Sequence, residues 1–146
     1  MDDLELVRCF EDCTLPFEQW THRCHVKVAY CYLLQFPFEL ALDRMRAGIK
    51  RYNAANQVPE GPTSGYNETT TQAFLRLVAV TIQAYSDAFP TPDADSFCEA
   101  HPQLMTRHVL RLFYSQACRM NPLAKTRFIE PDLAPLPTLP TKTTCR

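Results

Sequence analysis

The spacing of apolar residues constrains this chain more than any other feature. In "HVKVAYCYLLQF", Val26, Ala29, Tyr30 and Leu33 share one side. Leu42, Met45, Ile49 and Tyr52 do so in "PFELALDRMRAGIKRY", and Phe74, Leu77, Val78 and Ile82 in "QAFLRLVAVTIQAY". A repeat of three to four is the period of a helix with a buried face, whereas a half-buried strand alternates every second residue. No segment alternates that way, so the expected fold is all-α. Proline marks the boundaries: Pro16 suits the bend before one helix and Pro37 the first turn of the next. Shorter helices are expected over 2–13, near 94–100 with Asp93 or Asp95 as cap, and in "TRHVLRLFYSQA". The expected architecture is a compact single-domain bundle of three long and several short helices, residues 1–130. An extended Pro-rich tail, 131–146, follows it. Leu133 and Leu136 are expected to dock this tail in a groove before it frays after about residue 138.

Composition narrows the functional classes. Hydrophobic residues make up 46% of the 146 and charged residues 21%, as in an ordinary globular domain. The formal charge is -1 with no dense basic run, which argues against nucleic acid and anionic membrane as partners. No apolar stretch approaches the ~20 residues of a membrane span. "MDDLELVR" is acidic where a secretion signal would be basic and then apolar, so the expected location is cytoplasmic. The seven cysteines include no CxxC pair and read as buried free thiols. Cys24 stands apart because it lies between two histidines.

Two polar clusters stand at the mouths of apolar runs. In "WTHRCHVKVAYCYLL", His22 and His25 are three apart, roughly 60° round a helix axis, and so face one way. Two imidazoles on one face can act as an acid/base pair or ligate a metal. In "SGYNETTT", Asn67 suits an N-cap and Glu68 the first turn of a helix. The same start also offers a carboxylate and the Tyr66 hydroxyl to a substrate. Arg46 and Arg76 lie within apolar helices, where a guanidinium needs an ion-pair partner or a ligand. Tyr114 reads either as core with its hydroxyl on backbone or as a cavity residue. His101 and His108 read as surface residues.

Taken together, "WTHRCHVKVAYCYLL", "RAGIKRYN", "SGYNETTTQAFLRLV", "LRLFYS" and "FIEPDLAPLP" resemble a family of small helical proteins of bacteria and fungi. The family carries an F-T-H-x-x-H pattern followed by Y-H-E-T-x-T, and the resemblance runs from about residue 15 to 137. It implies a helical fold, with His22, His25, position 67 and Glu68 brought together. The family's histidine at position 67 is Asn67 here, and asparagine is a weak ligand for zinc or iron.

The leading expectation is a small intracellular enzyme without cofactor. His22, His25 and Glu68 would be its acid/base groups, with Tyr66, Asn67, Arg46, Arg76 and Tyr114 binding a small organic substrate in an interior pocket. Isomerase, cyclase, dehydratase and lyase chemistry all fit, as does a role in specialised metabolism; a homodimer is compatible with it. The first alternative is an oxygenase or hydrolase holding one divalent transition metal on His22, His25 and Glu68. The second is a non-catalytic helical module with an open apolar groove and unshifted histidines.

Overall fold

The computed structural model describes residues 1–139. Seven α-helices follow one another: α1 Asp3–Glu11, α2 His22–Gln35, α3 Phe38–Ala55, α4 Glu68–Tyr85, α5 Ala94–Ala100, α6 Gln116–Arg119 and α7 Leu123–Thr126. Single turns of 3-10 helix stand at Phe17–Gln19 and Pro102–Leu104, and a longer 3-10 segment at Arg107–Leu112. Among the described residues there is no strand, only an isolated bridge between Gly61 and Ser64. No helix among them is long and apolar enough to cross a membrane.

Local chemistry places the helix starts. Thr21 caps α2 by accepting from the Cys24 N–H, Asn67 caps α4 through Thr70, and Asp93 caps α5 through Ser96. Each short polar side chain satisfies one N–H that has no partner inside its helix. The expected faces of α3 and α4 are buried: Leu42, Met45, Ile49 and Tyr52 on one, Phe74, Leu77 and Val78 on the other. α2 buries more than one face, including Val28, Cys31 and Tyr32, because it packs against α1, α3, α4 and α5 at once. It is the central helix of the bundle.

α1 closes over α3 where Gly48 leaves room for the Phe10 ring. A Cβ at Gly48 would lie 2.5 Å from Phe10 Cε2. Phe10 in turn stacks on Trp20, ring centroids 4.6 Å apart. α5 is tied to α2 by Arg23 and Lys27, both bound to Asp95, and to α1 by Asp3, which accepts the Ala94 N–H at 2.9 Å.

Three local expectations are corrected. "TRHVLRLFYSQA" forms the 3-10 segment and then the single turn α6, not one helix. His101 is buried, packed between Phe97 and Tyr85, because the chain doubles back under α4 there. In the tail, Leu136 is buried as expected, but the Leu133 side chain is exposed and only its N–H docks, on the Phe113 carbonyl at 2.9 Å. Most of the span expected to fray, 140–146, lies outside the described residues.

Candidate functional site

The two polar clusters form two separate arrangements. Glu68 is buried at the start of α4, where both its oxygens are taken. Arg46 donates to it in a fork, Nε to Oε1 at 2.8 Å and Nη2 to Oε2 at 2.7 Å. The Tyr66 hydroxyl donates to Oε1 at 2.8 Å. The Lys50 ammonium lies over the Tyr66 ring, 5.0 Å from its centroid. The hydrogen bond from Arg46 outweighs burial and holds the Glu68 carboxyl below its ordinary range. Arg46 is raised by the same bond, and burial raises the Tyr66 hydroxyl. A carboxylate so held is a poor proton acceptor. The group ties α3 to α4 as a bidentate ion pair.

The loop before Glu68 is pinned as well. Lys125 donates to the Ser64 carbonyl at 2.6 Å, and Glu60 accepts the Tyr66 N–H at 3.1 Å. Gly65 has φ +86°, and a Cβ there would run into the Glu60 carboxyl. Asn67 Oδ1 is spent on the helix cap.

The histidines are fixed differently. His25 Nδ1 lies 2.8 Å from the Thr21 carbonyl, and His22 Nε2 lies 2.9 Å from that of Leu104. A carbonyl only accepts, so Nδ1 of His25 and Nε2 of His22 carry the protons. The opposite nitrogens, Nε2 of His25 and Nδ1 of His22, therefore present lone pairs, and among the described residues no protein group bonds either. Neither is sealed in, because the buried side-chain nitrogen without a partner is Arg76 Nε. Burial pushes His25 down to about 4 against the bond to Thr21, with His22 and Arg107 adding to the fall. Burial also lowers His22, and Arg107 contributes. Both rings are thus neutral bases at physiological pH. Their walls are aromatic: Trp20 lies over His25 at 3.8 Å between centroids, and Phe74 meets His22 edge-on at 4.8 Å.

The charges acting on the histidines are each other and Arg107, while those acting on Glu68 are Arg46 and Lys50. Among the described residues no hydrogen bond or ion pair joins Glu68 to either ring. Among the described residues no three His, Cys, Asp or Glu side chains are grouped to hold a metal ion. Arg107 had no signal in the sequence. It lies in "MTRHVL", outside both clusters, three residues after Leu104, whose carbonyl accepts from His22.

Of the remaining candidates Tyr114 has a structural hydrogen-bond partner, whereas Arg76 Nε is buried without one among the described residues. The Tyr114 hydroxyl donates to the Ile129 carbonyl at 2.8 Å. The Arg76 guanidinium stands 5.7 Å from the centre of the Phe38 ring. The Cys24 thiol is buried and pushed up to about 11 by that burial, so it stays protonated. Two hollows lie elsewhere than between the starts of α2 and α4. One, of about 400 Å³, lies between α1, α2 and α5 and includes Thr21, Cys24, Lys27 and Asp95. The other, of about 610 Å³, lies at the α4–α5 corner beside Phe89, Pro90 and Glu99. Both are open to solvent.

No family model, no curated protein and no solved structure matches the chain.

Proposed function

We propose that this protein is a proton-transfer enzyme acting on a small organic molecule, with His25 as the base and His22 beside it. The observation that carries the reading is the His25 tautomer. Donation of Nδ1–H to the Thr21 carbonyl leaves the Nε2 lone pair without a protein partner. A backbone carbonyl behind an imidazole orients the ring, as behind a general base or a metal ligand, and here the Thr21 bond offsets part of the fall in basicity that burial causes. In the step itself, Nε2 takes a proton from a carbon beside a carbonyl. The C–H electron pair becomes a C=C bond and the carbonyl pair moves to oxygen. The imidazolium then returns the proton at another atom, which isomerises the substrate, or a leaving group departs, which makes the step a lyase or dehydratase reaction. A reducing cytoplasm and a place in specialised metabolism fit this reading.

The test needs no known product. A panel of small carbonyl compounds is incubated with the protein in D2O, and C–H to C–D exchange is followed by NMR. Exchange by the wild type that His25→Gln abolishes, with the fold intact by circular dichroism, supports the reading. Exchange that survives in His25→Gln overturns it.

The second reading is a non-catalytic helical binding module. It is favoured by the openness of both hollows, since enzymes usually enclose most of a small ligand. It predicts no exchange with any member of the panel.

A further inference from the structure

The larger hollow, about 610 Å³, is lined on its apolar side by Ala88, Phe89, Pro90 and Ala100, and Asp95 and Glu99 line it as well. Its edges are fixed: the Tyr30 hydroxyl bonds that of Thr91 at 2.9 Å, and Asp93 caps α5. Phe89 is 57% exposed, with the exposed Tyr85 beside it. This corner is anionic. Asp87, Asp93, Asp95 and Glu99 are all exposed, and no Lys or Arg occurs between Arg76 and Arg107. Arg23 and Lys27 answer these carboxylates only in part, two cations against four acids.

The next segment has the opposite sign. No Asp or Glu occurs between Glu99 and Glu130, whereas Arg107, Arg111, Arg119, Lys125 and Arg127 do. The 3-10 segment Arg107–Leu112 presents Arg107, His108, Arg111 and Leu112 to solvent around the buried Leu110, and Leu112 is 67% exposed. Among the described residues no salt bridge joins the cations of this segment to the carboxylates of the corner. One chain thus carries an anionic apolar hollow and a cationic apolar segment that are not paired within it.

We propose that the α4–α5 hollow is occupied by the Arg107–Leu112 segment of a second copy of this chain. Leu112 of one copy enters among Phe89, Pro90 and Ala100 of the other, and Arg107 and Arg111 pair with Asp95 and Glu99. Removing Leu112 and Phe89 from water supplies the attraction. The charges set which surfaces meet: hollow against hollow, or segment against segment, brings like charges together, whereas hollow against segment does not. The two surfaces differ, so the contact is either reciprocated in a closed pair or repeated along a chain, and both raise the mass with concentration. A contact built on one short segment is small and therefore weak and reversible. The histidines take no part, so this association goes beyond the proton-transfer reading and stands or falls without it.

The experiment is sedimentation velocity on the full chain, from about 10 to about 500 µM protein and in about 0.05 M and about 0.5 M NaCl. The average mass should rise with concentration, and association should weaken about fivefold or more in the higher salt. Arg111→Glu and Glu99→Arg should each sediment as a monomer over the same range. A 1:1 mixture of those two variants should associate again, because each reversed charge then faces its opposite on the other chain. Leu112→Ser should weaken association at both salt concentrations. These side chains are exposed, so the variants should melt with the wild type. Where a charge reversal fails to fold, Arg111→Gln and Glu99→Gln replace it, each weakening association without adding repulsion. A wild type that is monomeric at every concentration overturns the proposal and leaves the hollow to a cationic partner of another kind. Association that Arg111→Glu and Leu112→Ser leave unchanged, or that the mixture does not restore, overturns it as well.

Discussion

Trp20 lies over His25, their ring centroids 3.8 Å apart and their planes tilted by 30°, and His25 is fixed from the other side by its own helix cap residue, Thr21. The pair makes the protonation state of one histidine visible in the emission of the one tryptophan. Burial pushes His25 down to about 4 from 6.5. As pH falls from 6.5 toward 4, the unfolded chain takes up a proton at residue 25 that the folded chain does not. Stability therefore decreases with falling pH across that window and is level above it. The full shift corresponds to at most about 3 kcal/mol, less for a ring that is only half-buried. Urea titrations at pH 7 and pH 5 should show this loss, and His25→Phe should reduce it, the remainder coming from His22 and His101, which burial also lowers. Trp20 emission should drop near pH 4, with circular dichroism separating protonation from unfolding. A midpoint near 6.5 would mean that the ring is open to water.

Glu68 should behave as a structural carboxylate. Arg46→Ala removes the fork and leaves a buried charge with only Tyr66, at a cost of about 2–4 kcal/mol. Because the folded-state value lies below the ordinary 4.5, the contribution of the pair is present above that pH and lost as pH falls through the folded value. Glu68→Gln should lower the melting temperature and leave proton exchange at His25 unchanged. Exchange lost in a folded Glu68→Gln would return Glu68 to the acid/base groups.

Gly48 should not tolerate a methyl group. Alanine improves helix propensity by about 1 kcal/mol, but the added carbon meets the fully buried Phe10 ring, which is held by Trp20. Gly48→Ala should destabilise by about 1–2 kcal/mol net. Phe10→Leu in the same chain should recover part of the loss, a coupling that a double-mutant cycle in urea would measure.

Asn67→His adds an imidazole at the α4 cap without completing a metal site. Glu68 is occupied by Arg46 and Tyr66, and position 67 serves as the α4 cap. The expected outcome is a loss of about 1 kcal/mol from the missing cap. Zinc titration by calorimetry should show no stoichiometric binding. Tight zinc binding by the variant would mean that the two clusters meet.

The sequence by itself determined the helical class, the approximate starts of two long helices and the caps of α4 and α5, because these depend on contacts within a few residues. Apolar period, Asn67 and Asp93 act locally and can be read locally. It also brought out His22 and His25, whose shared face follows from their spacing. Tertiary structure decided the rest. Glu68 turned from a candidate base into half of an ion pair because Arg46, 22 residues earlier, lies opposite it on α3. His101 went inside because a chain segment some 80 residues away folds back onto the start of α2, its Leu104 carbonyl accepting from His22. Side-chain chemistry and spacing fix what a residue can do. Which partner it meets depends on the packing of distant segments, and the partner decides whether a carboxylate is a base or a tie, and whether a histidine holds a proton or a lone pair.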